Sequence, residues 1–284
     1  MRALVLSGGG VKGAYQVGAL KKWMLEDKLD YEILCGVSVG ALNVGVLGQV
    51  PFGQPSEAFG RLRSMWDRVE NATIRKSWPL FGKLAALWKP SVYNSQPLID
   101  WLNKELNLEA IANSGRKVRV GATCWETGEY FAATETDPLF AKWVYASASF
   151  PAFFLPIEIA KKTWTDGGVR HVTPLGEAIK LGATEVDIIL CSSSDHSEPW
   201  DPSGKKTISY ALRAIEVMSD EIIRTDLQVC GLKNDLALLG KPYRQIRFRV
   251  LEPQKLLTDD ALEFNQKIVT KLQEIGYRDA HALG

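Results

Sequence analysis

Residues 33–47 read ILCGVSVGALNVGVL, and this stretch gives the clearest indication of the fold. Ile33–Cys35 is an apolar run typical of a buried strand, and the small residues toward the end of the stretch predict a closely packed helix. Between them, Gly36–Gly40 has the spacing Gly-x-Ser-x-Gly. In a strand-to-helix turn, this spacing exposes the hydroxyl of Ser38 at a helix N-terminus, where developing negative charge is favoured. The same residues also fit a turn in which Ser38 simply caps the helix.

A second glycine-rich turn lies upstream of the serine turn. Ala3–Ser7 is a short apolar run that predicts a buried strand, and Lys12–Glu26 has apolar residues at helical spacing. Gly8–Gly13, which reads GGGVKG, connects them. Glycines have no Cβ, so backbone N–H groups can converge there on an oxyanion with help from the helix dipole. The residues also fit a tight turn with no chemical role.

The turn at Gly8–Gly13 also matches the spacing Gly-x-Gly-x-x-Gly of dinucleotide-binding proteins. Those proteins need an acidic residue at the carboxyl end of the second strand, about 20 residues further on. Asp30 and Glu32 stand at that distance, but they precede the predicted strand, and Ser38 follows it instead. A dinucleotide-dependent oxidoreductase is therefore the alternative enzyme class, and the sequence favours it less than a hydrolase.

A serine hydroxyl is a weak nucleophile unless a base accepts its proton. Thr163–Gly168 reads TWTDGG and places the carboxyl group of Asp166 at a turn where two glycines permit close backbone approach. Among the three histidines, His171 follows this turn, His196 lies in a polar stretch, and His281 lies in the C-terminal tail. None has a recognisable motif around it. Asp166 is better placed than the histidines to act as the base, although an Asp-Gly-Gly sequence by itself is usually only a turn. Assistance from His171 or His196 stays open.

Strands and helices alternate along the chain, which predicts a mostly parallel sheet covered by helices on both faces. We therefore expect an α/β fold with three layers, α/β/α, in which one domain spans residues 1–284. The serine turn comes early in the chain, whereas ordinary α/β-hydrolases place several strands before it. The further predicted elements are helices at 56–70, 95–113 and 207–232, strands at 118–124, 130–133, 186–191 and 245–250, and a last helix from near Asp259 that ends at Gly276.

Composition and charge exclude several classes of protein. The chain has 284 residues and a formal net charge of +1, which argues against a general attraction to nucleic acid. No apolar stretch approaches the roughly 18 residues of a membrane span, and the features of a signal peptide are missing. The four cysteines are too few for a disulfide scaffold and form no Cys-x-x-Cys pair. We therefore expect a cytoplasmic protein.

Four short blocks, taken together and in this order, resemble those of the patatin-like phospholipase family. They are Gly8–Gly13 for the oxyanion hole, Gly36–Gly40 for the nucleophile, Ala146–Pro151 for a block that ends in proline, and Asp166–Gly168 for the catalytic acid. The resemblance runs from residue 3 to about residue 190. One departure is Ser7, where many members have an aspartate that is not catalytic. The resemblance implies a patatin-like form of the α/β fold with a serine nucleophile elbow.

The resemblance also implies roles for individual residues. Ser38 would be the nucleophile and Asp166 the base, in a dyad without histidine and without a metal or cofactor. The oxyanion hole would consist of Gly8, Gly9, Gly10 and Val39, and the residues that support the motifs would be Lys12, Gly13, Gly36, Gly40, Pro151, Gly167 and Gly168. A carboxyl group with the ordinary pKa near 3.9 is a poor base near neutral pH, so the oxyanion hole would carry much of the rate.

The activity that the resemblance implies is hydrolysis of fatty-acyl esters of glycerolipids and phospholipids. Members of the family differ in substrate, so the head group, the acyl position and the chain length are not implied. A lipid-binding protein with the same fold but without catalysis is the alternative outside the enzymes.

Residues 71–99 form a basic and aromatic insertion with four basic residues and no acidic one. Basic residues with tryptophan and leucine are typical of a segment that touches an anionic lipid surface. A helical insertion that packs on the core with solvated lysines explains the composition as well. The residues expected at a peripheral membrane contact are Trp78, Phe81, Lys83, Trp88 and Lys89. The sequence predicts no nucleic-acid partner and indicates no oligomeric state.

Overall fold

A mixed β-sheet organises the computed structural model, which describes residues 1–79, 82, 88–193, 200–204, 207–258 and 260–283. Eight strands of the described residues form one sheet. In chain order they are β1 (Arg2–Leu6), β2 (Ile33–Gly36), β3 (Lys117–Cys124), β4 (Tyr130–Thr134), β5 (Ile157–Ile159), β6 (Lys162–Asp166), β7 (Glu185–Ile189) and β8 (Arg247–Leu251).

The central part of the sheet is parallel and one end of it is antiparallel. β1 pairs in parallel with both β2 and β7, β2 with β3, and β7 with β8. β4 and β6 run antiparallel to β3, and β5 runs antiparallel to β6. The prediction of a mostly parallel sheet is therefore correct for the centre only. Short turns join β3 to β4 and β5 to β6, and such turns cannot make the crossover that parallel neighbours need.

Helices cover both faces of the sheet. They are α1 (Gly13–Leu20), α2 (Val39–Leu47), α3 (Pro55–Trp66), α4 (Asn71–Ile74), α5 (Gln96–Glu105), α6 (Leu108–Asn113), α7 (Phe140–Ala148), α8 (Leu175–Lys180), α9 (Thr207–Leu238) and α10 (Gln266–Leu283). A 3₁₀ turn at Gly10–Lys12 precedes α1, and a π-helical stretch at Lys21–Glu26 follows it. Within the described residues, none of these helices is long and apolar enough to span a bilayer.

The strand β1 shows how the two layers of the core are built. Its residues Leu4 and Leu6 pack into a large apolar cluster with α1, α2, α3, α7 and α10. Its residues Ala3 and Val5 point to the other face and pack with α8 and with Ile223 of α9. All four side chains are almost inaccessible to solvent. An apolar run that is buried on both faces is typical of a central parallel strand, and it accounts for the three-layer arrangement.

The last helix differs from its prediction. α10 begins at Gln266 and continues to Leu283, so the predicted end at Gly276 and the start near Asp259 are wrong; Asp259 itself lies outside the described residues. A Cβ on Gly276 would lie 2.0 Å from the backbone oxygen of Tyr15 in α1. The glycine therefore permits close packing of two helices and does not end one.

Three further predictions need correction. The predicted helix at 95–113 is two helices, because Asn107 leaves the helical conformation and its side chain caps α6 by accepting a hydrogen bond from the N–H of Ala110. The helix predicted at 207–232 extends to Leu238. The sequence analysis also missed α7, α8, β5 and β6, of which α7 and β6 contribute to the candidate site.

Candidate active site

The register of the sheet brings Ser38 and Asp166 to the same level. Residues 119–120 of β3 pair with β2 on one side and with β4 on the other, and residues 122–123 pair with β4 and β6. β2 and β6 therefore lie on the same side of β3, with their carboxyl ends facing each other. Gly36 pairs with Val120, and Asp166 pairs with Ala122. Ser38, two residues beyond Gly36, consequently meets the end of β6.

Ser38 occupies a strained turn between β2 and α2. Its backbone has φ 57° and ψ −126°, a conformation that costs a non-glycine residue about 1–3 kcal/mol. Both glycines of the motif are needed for the turn to close. A Cβ on Gly36 would lie 2.3 Å from the backbone oxygen of Gly40, and a Cβ on Gly40 would lie 2.3 Å from that of Leu6. The local sequence therefore permits a turn in which Ser38 precedes the helix without capping it.

Asp166 is the last residue of β6, and only 2% of its surface is exposed. Its Oδ1 accepts a hydrogen bond of 2.7 Å from the N–H of Gly168. Its Oδ2 accepts no well-directed hydrogen bond from the described residues, although the Ser38 hydroxyl is near enough to stabilise the charge. Such a loose contact is common in unliganded active sites. Burial raises the pKa of Asp166 to about 7, against the lowering effect of the Gly168 N–H and the Ser38 hydroxyl.

The two glycines after Asp166 have steric roles. A Cβ on Gly167 would lie 2.3 Å from the backbone oxygen of Gly121 in β3, and a Cβ on Gly168 would lie 3.0 Å from Oδ1 of Asp166. Gly167 lets the chain pass close to β3, and Gly168 lets its N–H approach the carboxylate. The motif therefore positions the acid at the end of the strand.

The glycine-rich turn after β1 lies beside Ser38. A Cβ on Gly8 would come within 3.1 Å of the Cβ of Ser38. Gly10 has φ 60°, and a Cβ there would lie 2.2 Å from the backbone oxygen of Ala261. A Cβ on Gly9 would lie 2.4 Å from the Cβ of Cys191. Gly9 and Gly10 have no room for a side chain and Gly8 has little, so the turn exposes its backbone.

The backbone N–H groups near Ser38 divide into those that are used and those that are not. The N–H of Gly8 donates to the carbonyl of Val172 at 3.2 Å. Gly8 therefore lets the backbone of the turn come close to Ser38, but its N–H is already used. Within the described part of the chain, the N–H groups of Gly9, Gly10 and Val39 have no hydrogen-bond acceptor. These three N–H groups belong to residues that line the same cavity as Ser38. A Cβ on Gly13 would lie 2.3 Å from the Val39 side chain, so Gly13 allows α1 to pack against the serine turn.

A network of buried polar side chains connects α1, which follows the glycine-rich turn, with α2, which follows the serine turn. Gln16 donates to the carbonyl of Ser7 at 2.9 Å and accepts from Asn43 at 2.8 Å. Asn43 in turn accepts a hydrogen bond of 2.8 Å from the indole N–H of Trp66. Gln16 and Asn43 are fully buried. The sequence analysis missed this network, and the signal for it was an amide residue inside each of two otherwise apolar or small-residue helices.

Lys12 lies at the side of the glycine-rich turn and points toward α9. Its Nζ is 2.9 Å from Oε1 of Glu216, and Nη1 of Arg213 is 2.9 Å from Oε2 of the same carboxylate. Burial raises the pKa of Glu216, but Lys12 and Arg213 more than offset this effect, so the pKa lies below its ordinary value. Two cations therefore share one carboxylate at the edge of the site.

A cavity of about 530 Å³ opens above these groups. Ser38, Asp166 and the glycine-rich turn form its floor, and its walls are mostly apolar. The walls include Leu42, Leu98, Phe150, Pro151, Phe154, Ile222, Ile223, Leu256 and Phe264. A mostly apolar cavity with a few convergent polar groups is the usual form of a small-molecule site.

The described histidines do not accompany the two candidate catalytic residues. The ring of His171 packs edge-on against Tyr130, with 5.0 Å between the centroids. His281 lies 3.1 Å from Glu26 on the outside of α10. Neither hydrogen-bonds with Ser38 or Asp166 among the described contacts, and His196 lies outside the described residues. Asp30, which a dinucleotide site would need, is bound by Arg116 before β2 begins, at the opposite edge of the sheet.

The residues predicted for membrane contact are only partly described. Trp78 is half-buried and donates its indole N–H to the carbonyl of Ser91 at 3.1 Å, and Lys89 lies over its ring. The side chain of Trp88 is 71% exposed. Phe81 and Lys83 lie outside the described residues. Trp78 thus belongs to the packing of its segment, and Trp88 is the tryptophan on its surface.

The fold and the site first define a class: an α/β protein in which two glycine-dependent turns and a buried acid face one apolar cavity. The family model described as "Patatin-like phospholipase" matches residues 4–179. The chain therefore belongs to the patatin-like phospholipase family, as its four sequence blocks predicted, and membership makes it a relative of lipid acyl hydrolases.

The other comparisons add little detail. The crystal structure of VipD from Legionella pneumophila is similar to this chain with a TM-score of 0.45 and 14% sequence identity. The similarity covers 99% of this chain and 66% of that one, so the chain spans a little less than two thirds of VipD. No curated protein matches the sequence.

Proposed function

We propose that this protein is a serine acyl hydrolase that cleaves fatty-acyl ester bonds of glycerolipids or phospholipids through a dyad of Ser38 and Asp166. The observation that carries the proposal is the meeting of the two residues across the ends of β2 and β6, on the floor of an apolar cavity. The strained conformation of Ser38 adds support, because strain at a non-glycine residue is concentrated at functional sites.

In the proposed reaction, the Ser38 hydroxyl attacks the ester carbonyl carbon while Asp166 accepts its proton. The tetrahedral oxyanion receives hydrogen bonds from the N–H groups of Gly9, Gly10 and Val39, and collapse releases the alcohol, which takes up the proton from Asp166. Water then attacks the acyl-enzyme by the same route and releases the fatty acid. One such donor is typically worth about 3 kcal/mol of transition-state stabilisation.

The burial of Asp166 suits it to act as the base. With a pKa of about 7, the carboxyl group is ionised in part at neutral pH and still binds a proton strongly enough to take it from the attacking serine. An ordinary carboxyl group, with a pKa near 3.9, would be a far weaker base. With this raised pKa, the base can contribute more to the rate than an ordinary carboxyl group, and the oxyanion hole carries a correspondingly smaller share than the resemblance implies.

The shape and polarity of the cavity support a lipid as the substrate. Its walls come largely from leucine, isoleucine and phenylalanine side chains, and its volume of about 530 Å³ suits the end of an acyl chain next to the ester. The family description supports the same class.

Covalent labelling of Ser38 is the decisive test. A fluorophosphonate probe should label the wild-type protein, with the adduct mapped to Ser38 by mass spectrometry, and the protein should hydrolyse p-nitrophenyl butyrate and lysophosphatidylcholine. We expect Ser38→Ala to abolish labelling and to lower turnover at least about 10³-fold. A folded Ser38→Ala protein with wild-type turnover would contradict the mechanism. Lipid binding without labelling would favour the non-catalytic alternative.

The dyad has a separate test from the nucleophile. Asp166→Asn keeps the shape of the side chain and removes the base, so we expect labelling of Ser38 to slow by at least about 10²-fold. If Asp166→Asn reacts like the wild type while His171→Ala or His196→Ala does not, a triad replaces the proposed dyad.

We further propose that residues 1–284 form one domain, that the protein is cytoplasmic, and that Trp88 and Lys89 contact membranes peripherally. The pairing of β8 with β7 and the packing of α10 on α1 support a single domain. The exposure of the Trp88 side chain supports the membrane contact.

A further inference from the structure

The C-terminal end of α7 touches both halves of the proposed dyad. The hydroxyl oxygen of Ser147 accepts a hydrogen bond of 2.9 Å from the backbone N–H of Ser38. Two residues further on, the carbonyl oxygen of Ser149 accepts hydrogen bonds from the N–H of Asp166 at 3.2 Å and from the hydroxyl of Thr165 at 2.8 Å. One short segment therefore ties the serine turn to the end of β6.

The hydroxyl of Ser147 is used differently from that of its neighbour. Ser149 donates its hydroxyl to the carbonyl of Ala146 within the same helix end, as serines in helices commonly do. Ser147 instead offers its oxygen to a backbone N–H that is 109 residues away in the chain. A serine that served only to end the helix would bond within the helix end, as Ser149 does, and would have no need of this distant partner.

The bond reaches the residue with the most strained backbone of the site. Ser38 has a positive φ, and its N–H is adjacent to the torsion that must be held there. Ser147 is fully buried, so water cannot replace its oxygen if the side chain is shortened. The carbonyl on the other side of the same peptide, that of Val37, accepts a hydrogen bond of 2.8 Å from the N–H of Gly40, so Ser147 supplies the acceptor that holds the N–H side of the Ser38 peptide.

We propose that Ser147 is a positioning residue: its hydroxyl oxygen holds the backbone of Ser38 in the conformation that directs the Ser38 hydroxyl toward Asp166. This inference rests on the proposed function, since it assigns a partner to the proposed nucleophile. It also gives a physical role to the block Ala146–Pro151, which the sequence analysis matched to the family without a role.

Ser114 provides a matched control for the loss of a buried hydroxyl. Its oxygen accepts a hydrogen bond of 3.2 Å from the N–H of Arg116, and the residue is 4% exposed. It precedes β3 and so lies at the opposite edge of the sheet from the site. Ser114→Ala and Ser147→Ala therefore each remove one buried acceptor of a backbone N–H, and only the second acceptor serves Ser38.

The test measures kcat, KM and the labelling rate of Ser38 with p-nitrophenyl butyrate and a fluorophosphonate. For Ser147→Ala we expect kcat and the labelling rate to fall at least about tenfold, with KM changed less than about twofold, because misplacement of a reacting group acts on the chemical step. Ser147→Thr keeps the oxygen and should recover most of kcat. Ser114→Ala should keep kcat within about twofold even where it lowers the melting temperature.

Each outcome decides the proposal. Wild-type kcat in folded Ser147→Ala overturns it, and so does an equal loss of kcat in Ser147→Ala and Ser114→Ala. If Ser147→Ala does not fold, Ser147→Cys replaces it, since a thiol fills the space but is a weak acceptor; wild-type kcat in that variant also overturns the proposal. If the wild-type protein neither reacts with the probe nor turns over ester, the proposed function fails. If only the proposal for Ser147 is wrong, the wild-type protein is still active.

Discussion

The floor and the wall of the cavity are built on opposite principles. On the floor, the backbone of the glycine-rich turn and of the serine turn approaches its neighbours so closely that a single Cβ would overlap with them. α9 contributes Ile222 and Ile223 to the wall, and its outer side, away from the cavity, is uncrowded: a Cβ on Gly231 would meet nothing within 4 Å, and Val217 and Leu232 are exposed. The floor therefore requires particular residues, whereas the outer side of α9 tolerates exchange. The difference predicts that chemistry resides in the floor and substrate preference in the wall.

The same substitution made in both regions gives the largest expected contrast. Gly40→Ala places a Cβ 2.3 Å from the backbone oxygen of Leu6, and we expect a loss of more than about 4 kcal/mol in the free energy of unfolding, or no folded protein. Gly231→Ala should instead raise that free energy by about 0.5–1 kcal/mol, because alanine favours the helix. Urea unfolding measures both. Equal effects of the two substitutions would remove the distinction between the crowded floor and the outer side of α9.

The pH dependence of the rate tests whether Asp166, on the floor of the cavity, is the base. Asp166 must be ionised to accept a proton, and its pKa is about 7. We expect kcat/KM for p-nitrophenyl butyrate to be level above that pH and to fall about tenfold per pH unit below it, so that pH 5 gives about 1% of the rate. A midpoint near pH 4 would show that Asp166 is not the buried base described here.

The burial that raises the pKa of Asp166 also lowers the free energy of unfolding. Because the pKa of Asp166 is higher in the folded state than in the unfolded state, the cost is absent below about pH 4, grows as the pH rises, and is complete above about pH 7. Asp166→Asn carries no charge, so we expect it to be more stable than the wild type by about 4 kcal/mol at pH 8, which is the rise of the pKa from near 3.9 to about 7 converted to free energy, with the gain vanishing toward pH 4. A stability difference that does not depend on pH would contradict this origin.

The wall should control the acyl chain. Ile222 of α9 lines the cavity, and Val217 of the same helix is 51% exposed and does not. We expect Ile222→Ala to change kcat/KM for a long-chain lysophospholipid about three- to tenfold while kcat/KM for the butyrate ester changes less than about twofold. Val217→Ala should change neither. A loss of activity on both substrates in Ile222→Ala would assign this residue to the chemistry.

The smallest expected effect concerns the membrane. Trp88→Ala should reduce flotation with anionic liposomes about threefold, because an exposed tryptophan loses its place at the lipid interface. Leu239→Ala removes a side chain that is 75% exposed elsewhere, and it should leave flotation unchanged. Equal binding of wild type and Trp88→Ala would exclude the contact, and an equal loss in both variants would make it nonspecific.

The contrast between floor and wall also explains what the sequence predicted well. The strand and helix around Ser38 follow from an apolar run, two glycines and small residues that allow few other conformations. The family was confirmed by the family model that matches residues 4–179. Asp166, by contrast, was identified as part of a turn, although it ends a strand, because β6 has polar residues on both faces and shows no alternation.

Contacts between distant parts of the chain account for the rest. The approach of β6 to β2 along one side of β3 depends on strand pairing, for which the sequence carries no local signal. The raised pKa of Asp166 depends on burial by residues far from it in the chain. Gly276 illustrates the same limit, since a glycine that ends a helix and one that packs against Tyr15 look alike in a sequence.

The contact between Gly10 and Ala261 has a consequence for the order of events during synthesis. The carbonyl of Ala261 accepts the N–H of Val11 at 2.8 Å and lies directly against Gly10. The proposed oxyanion hole leaves the ribosome about 250 residues before the carbonyl that supports it. A nascent chain that stops short of Ala261 therefore holds Ser38 without a finished site, and the proposed esterase activity should begin only after Ala261 has emerged.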